Sequence, residues 1–247
     1  MSFPQTIMGK YGWEKLSTTG QKHKLGTRMQ IGEREFVYHS TGEATTAGLL
    51  MMQPAAVAAH DLDLTTAAIT AGDTTVTIAT SLTITADQYK DGWLILNDIG
   101  EEGHMYRIKS NTAKSGAVNA VVTIDEEDGF VHAIAAGASN GQFGLVANPY
   151  LSSTIYQHDA IVGAPLGWAV SDIASGSYGW MCVKGPTMAL VNGAITIGLP
   201  ACAANDTLDG AVEALDSDDD AEGTIVGYMG NTVGTAGEYG LIIANVQ

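Results

Sequence analysis

A chain of 247 residues with 45% hydrophobic content is long enough for one large or two small domains, each with a buried core. Its 15% charged residues and formal net charge of −16 at neutral pH exclude a general grip on a phosphate backbone, where lysine and arginine must replace condensed counterions. Small residues fill the gap left by the charges, with 30 glycines and many alanines and threonines, and β-branched threonine suits a half-buried pleat.

Met1–Arg34 is weakly patterned and carries scattered glycines with Phe3, Tyr11 and Trp13, so it reads as an extended arm without a local core. Glu35–Ser40 and Gly48–Gln53 read as a strand pair around Thr41-Gly42, and Pro54–Leu64 as a short helix or linker with Pro at its first position. Val76, Ile78, Leu82 and Ile84 alternate with threonine, the period of a half-buried strand. Trp93–Leu96, Met105–Ile108 and Val118–Ile124 follow as strands, the last resembling Thr74–Ile78, and Glu126–Ala136 reads as one or two helical turns. Asn148-Pro149-Tyr150 marks a hinge. Beyond it come Ala160–Val162, a tight meander over Gly167–Val191, Ala194–Ile197, Thr224–Tyr228 and Leu241–Val246. Regular short strands separated by turn signals define an all-β fold of two small, Gly-rich barrel or sandwich domains. The expected organisation is a basic arm at 1–34, a strand pair and linker at 35–59, an inserted β domain at 60–148 and a Gly-rich barrel at 149–247. Whether 35–53 completes that barrel is open at this level.

The charge is unevenly spread. Residues 1–60 hold Lys10, Lys15, Lys22, Lys24, Arg28 and Arg34 against four acids, a net +2, which leaves −18 for the remainder. Asymmetry of this kind marks a segment with its own partner, or one that complements its own acidic body. Met1–Lys10 lacks the features of a secretory signal, and the uncharged stretches are broken by Gly, Asn and Pro, so no membrane span is expected. Cys182 and Cys202 make no disulfide framework, in keeping with synthesis in a reducing cytoplasm.

Motifs that carry chemistry fail on inspection. Gly137-Ala138-Ser139-Asn140-Gly141 matches a nucleophile-elbow pattern, but no acid stands between Ser139 and His158, the one later histidine. Asp216–Glu222 spaces carboxylates like a calcium loop, yet Ala221 and Gly227 occupy the positions that need Gly and Glu, so a solvated loop tip is expected. His23, His39, His60, His104, His132 and His158 are dispersed, with no zinc spacing, and read as surface or capping residues. In His60-Asp61 and His158-Asp159 strand geometry would send the neighbours to opposite faces. Trp168 and Trp180 belong in strands and in the core; Trp13 needs a partner. No catalytic, cofactor or metal residue is expected. The expected binding residues are Phe3, Tyr11 and Trp13 as aromatic anchors, with Lys10, Lys15, Lys22, Lys24, Arg28 and Arg34 meeting carboxylates.

The C-terminal third, with Val162-Gly163, Gly167-Trp168-Ala169-Val170, Tyr178-Gly179-Trp180-Met181-Cys182-Val183-Lys184-Gly185, Ile225-Val226-Gly227 and Glu238-Tyr239-Gly240-Leu241, resembles the head-decoration, or capsid cement, proteins of tailed phages. The middle stretch, from Ala71-Gly72 through Gly92-Trp93 to Tyr106-Arg107-Ile108, looks like the added β domain of larger virion proteins. The resemblance implies a non-enzymatic, typically trimeric protein on the capsid exterior, bound to the major capsid protein and needing no cofactor, nucleic acid or membrane. A carbohydrate-binding β-module of a tail or fibre is the second reading. Ester and peptide substrates are therefore expected to survive incubation with the protein; turnover that disappears in Ser139→Ala would show the opposite.

Overall fold

The computed structural model describes residues 6–79, 83–98, 102–114, 119–137, 141–159, 163–205, 207–215 and 224–246. Phe3, Ser139, Ala160–Val162 and Asp216–Glu222 lie outside these residues. The chain forms two compact units, Met1–Ala55 with Pro149–Gln247, and Ala56–Asn148. About 46% of it is strand and 3% helix, so the protein is all-β, with a closed five-stranded barrel and a curled sheet.

The first unit opens with β1 (Thr6–Met8), β2 (Arg28–Ile31), β3 (Arg34–Ser40) and β4 (Leu50–Met52). The second holds α1 (Ala58–Asp61), β5 (Thr65–Thr66), β6 (Thr75–Ala79), β7 (Trp93–Asp98), β8 (Met105–Asn111), β9 (Ala120–Ile124) and β10 (Gln142–Val146). The chain then returns through β11 (Thr154–Ile155), β12 (Pro165–Ala169), β13 (Tyr178–Val191), β14 (Pro200–Ala203), β15 (Ala211–Ala214), β16 (Ile225–Met229) and β17 (Tyr239–Asn245).

In the second unit the order is β10-β7-β8-β9-β6-β5, and a bridge between Leu64 and Phe143 brings the two edges together. The inward side chains are cross-strand neighbours: Val76 faces Val122, Ile78 faces Ala120, Leu94 faces Tyr106 and Leu145, and Ile108 faces Ile124. All of them join one apolar core with Phe130 and Phe143. Within the two similar segments, Thr75–Ile78 and Ala120–Thr123 become antiparallel partners. A Cβ at Gly144 would stand 1.9 Å from Asp61 O, so only glycine lets β10 run beneath α1.

In the first unit β13, β15, β14, β16 and β17 close into the barrel, because β17 pairs back onto β13. Its interior is filled by Trp168, Val191, Ala201, Val212, Val226, Met229 and Ile242 among others. The meander expected over 167–191 is instead β12 followed by one 14-residue strand, which passes through Gly185-Pro186 without stopping. The pair expected around Thr41-Gly42 does not pair with itself either. β3 joins β2 and β13, whereas β4 joins β11 and β12. No helix forms in 126–136, where Ile134 bridges to Ile69 instead, and α1 starts at Ala58 rather than Pro54.

Residues 6–34 are corrected most. Parallel β1 and antiparallel β2 extend the sheet from β3, and Leu25, Met29 and Ile31 are buried against Phe36, Tyr38, Trp180 and Cys182. The expected lack of a local core overlooked the alternation of Arg28-Met29-Gln30-Ile31, which puts two apolar side chains on one face of a short strand.

His39 and His60 are buried, against the expectation of surface histidines. The Ser153 hydroxyl donates to Ser40 O at 3.0 Å, so the 2.8 Å contact to His39 must come from an Nδ1–H donor. His39 Nε2 then presents a lone pair that meets no hydrogen-bonding partner among the described residues. Burial holds this imidazole down to about 4 from its ordinary 6.5. The unfolded chain takes up that proton near 6.5 and the folded chain resists it. Stability from this group is thus intact above about pH 6.5, declines as pH falls towards about 4, and changes no further below. The expected loss is about 3 kcal/mol, read as a decrease in urea midpoint across that window. His39→Leu should flatten the decrease, whatever its effect on stability at neutral pH.

Candidate partner-binding face

Of the residues expected to bind a partner, Trp13 and Lys22 line one groove of the first unit and Lys10 lies over the Trp13 ring. Gly9 follows β1 and donates to Gln30 O at 2.9 Å; a Cβ there would meet Met29 Sδ at 2.6 Å, so the chain hugs β2 at this point. It then turns through Gly12, whose φ is +97°, into a single 3-10 turn over Trp13–Lys15. The turn is pinned from below by Glu14. That carboxylate is only 4% exposed, accepts the Gly12 N–H at 2.7 Å and lies 3.8 Å from the Arg34 guanidinium. With Glu14 directed inward, its neighbours are turned out. Tyr11 is 76% exposed, Leu16 60% and Trp13 43%, and Lys10 Nζ sits 6.0 Å above the Trp13 ring.

The following segment closes over the sheet. Thr18 exchanges two backbone bonds with Tyr178, at 2.9 and 2.8 Å, and the Tyr38 hydroxyl accepts the Lys22 N–H at 2.9 Å. His23 then packs edge-on to Tyr38, with ring centroids 5.1 Å apart, and 5.4 Å from Trp180. Partial burial holds the His23 imidazole below its ordinary value, so it adds no charge here at neutral pH. Tyr38 meets Trp180 at 5.1 Å and stacks on Tyr178 at 6.0 Å. These contacts leave a groove of about 150 Å³ lined by Ile7, Trp13, Leu16, Thr18, Lys22, His23, Met29, Tyr38 and Trp180. Its walls are nearly all apolar or aromatic, and Lys10, Lys15, Lys22 and Lys24 are exposed on the same segment.

Arg28 and Arg34 are placed differently from the lysines. Arg28 pairs with Glu35, its diagonal neighbour across the β2–β3 ladder. Arg34 reaches Glu14 and lies over the Phe36 ring at 4.6 Å. Both cations therefore hold the segment to its own sheet. Tyr38, Trp180 and His23, which build the groove floor and wall, were not among the expected binding residues. Nothing local marks them, since Tyr38 and Trp180 meet only through the β3–β13 register.

Elsewhere, the two cysteines are free and buried, and burial pushes both thiols up, Cys202 to about 11, which leaves neither as a nucleophile. His104 and His132 come together with ring centroids 5.3 Å apart. His158 and Asp159 lie outside any strand, so strand alternation does not separate them. Both converge with Asp209 into a group of metal-ligating types. No helix among the described residues is long and apolar enough to cross a membrane. Compared with known proteins, the chain matches no family model, no curated protein and no solved structure.

Because Glu14 is the buried support of the turn, Glu14→Ala should leave the Gly12 N–H and Arg34 without their acceptor and cost about 1–3 kcal/mol in denaturant unfolding. Trp13→Ala should cost under 1 kcal/mol in the same measurement, since the ring is half in solvent.

Proposed function

We propose that the protein is a non-enzymatic virion structural protein of a tailed phage, a decoration protein that binds the major capsid protein through the face built by residues 6–34. The observation that carries this reading is an apolar, aromatic groove lined by exposed Trp13 and Leu16 with Lys22, with Lys10 over the Trp13 ring, on a segment that also exposes Tyr11, Lys15 and Lys24 in a chain that is otherwise strongly acidic. Aromatic anchors beside an apolar pocket supply affinity, and a rim of one charge sign steers a partner of the other. The closed Gly-rich barrel and the resemblance of its strands to capsid cement proteins support the same reading, which includes a homotrimer on the capsid exterior, where cyclic closure would satisfy exposed edges.

Deleting residues 1–34 would be a poor test, because it removes Leu25, Met29 and Ile31 from the core. Point substitutions keep the fold. Trp13→Ala should weaken binding to purified undecorated capsids by about 2 kcal/mol or more, and Lys10→Glu with Lys15→Glu should slow association and change its salt dependence. Unchanged capsid binding by both variants would remove this face as the attachment. Light scattering that shows a monomer on and off the capsid would end the trimer.

The half-exposed Trp13 ring beside a groove with hydroxyl and ammonium groups also suits stacking on a sugar, the second reading. Retention on a glycan array, lost in Trp13→Ala, together with no capsid binding, would select it.

A further inference from the structure

We propose that His158, Asp159 and Asp209 form a divalent-cation site, with Zn²⁺ the ion it holds best. The side chains come from two stretches, the residues after β11 and the turn between β14 and β15. Both are fixed within two residues of the cluster. Gly210 N–H donates to Tyr156 O at 2.7 Å, Tyr156 N–H to Leu50 O at 2.9 Å, and Leu50 N–H to Gly210 O at 2.8 Å. Gly210 has φ +71°, and a Cβ there would press on Ile155 at 2.9 Å and Leu49 at 3.1 Å, so the backbone that carries Asp209 has little freedom. A site built on stretches already held apart at the right distance needs little ordering when the ion arrives.

The geometry is close to that of a coordination shell. Asp209 Oδ1 accepts the His158 N–H at 3.1 Å and stands 2.8 Å from His158 Nδ1. The ligating atoms of all three residues lie within 4.8 Å of one another. Tetrahedral ligand bonds of about 2.1 Å put neighbouring ligand atoms about 3.4 Å apart, so the His158–Asp209 pair, at 2.8 Å, needs to open by about 0.6 Å. One imidazole and two carboxylates are a borderline donor set suited to zinc, with manganese weaker, whereas calcium seeks six to eight oxygens. The ion takes the place of the hydrogen between Nδ1 and Oδ1. A neutral imidazole keeps its one hydrogen by moving it to Nε2; an imidazolium gives one proton to solvent. Water completes the shell, and the net charge of −16 raises the local cation concentration. Once bound, the ion ties the chain after β11 to the turn before β15.

The test uses the full chain, freed of metal by a chelator and titrated with ZnCl₂ and then MnCl₂ by calorimetry, with thermal unfolding in parallel. One zinc per chain, a micromolar Kd, weaker manganese binding and a higher Tm with zinc are expected. His158→Ala and Asp159→Asn should each weaken zinc binding by at least about tenfold. Asp159 is exposed, so its variant tests binding without threatening the fold. Neutralising Asp216, Asp218, Asp219, Asp220 and Glu222 to amides should leave binding in place. A Kd weaker than about 1 mM, binding indifferent to both single variants, or binding lost with the acidic run would each overturn the site.

Discussion

The first unit depends on one strand serving two successive sets of partners within its sheet, and the change between them falls at Gly185-Pro186. From Tyr178 to Lys184, β13 is paired with β3; from Lys184 to Leu190 it is paired with β17, and its last two residues add β15 in parallel. The change of partner occurs at Gly185, whose φ is +89° and where a Cβ would meet Glu33 O at 2.6 Å. Any other residue would be strained in conformation and blocked by backbone at once. Pro186 falls where β13 has β17 as its neighbour and neither β3 nor β15, so a missing N–H is tolerated. Gly and Pro here aim a strand rather than end it. Without that change of partner, β17 could not return to β13, and the barrel would have two open edges.

The same strand sets the position of the groove. On β3 and β13, Phe36, Tyr38, Trp180 and Cys182 face one core, while Val37, Met181 and Val183 face another. Both faces are covered, so a slip of one residue would drive every side chain into the wrong layer. Tyr38 and Trp180 are directly opposite one another in this register, and together they are the floor on which His23 packs. Register energy is therefore spent twice, once in burying a core and once in presenting aromatic surface.

Legibility followed periodicity. Strands with alternating apolar residues, such as β6 and β9 with their shared Val-Thr-Ile, stood out in the sequence, and so did β7, β8, β16 and β17. Pro200–Ala203 and Ala211–Ala214 did not, because small residues and a buried cysteine give no contrast between faces. Gly185-Pro186 read as a stop because local chemistry cannot tell a bend within a paired strand from a turn between two. Trp13 and the lysines were visible as unusual residues in a weakly patterned stretch. The groove beside them was not, since its floor is assembled by pairing between residues far apart in sequence. The ion pairs Arg28–Glu35 and Arg34–Glu14 were hidden for the same reason: the first needs the β2–β3 register and the second needs the turn at Gly12.

The division between those two arginines and the four lysines gives the face its physical character. The arginines neutralise carboxylates of the same segment and contribute packing, Arg34 over Phe36 in particular. The lysines are exposed, against a remainder of the chain at −18. At physiological ionic strength exposed charges are screened over about 8 Å, so the acidic body repels an acidic partner only weakly at a distance and the lysine rim acts mainly on close approach. The apolar groove is indifferent to salt. An acidic partner with an apolar anchor would then have its arrival rate and register set by the rim, and its residence set by how well the anchor fills the space between Trp13, Leu16 and Trp180. On this reading, attachment and salt sensitivity are separable properties, carried by different side chains of one short segment whose shape is fixed from beneath by Glu14.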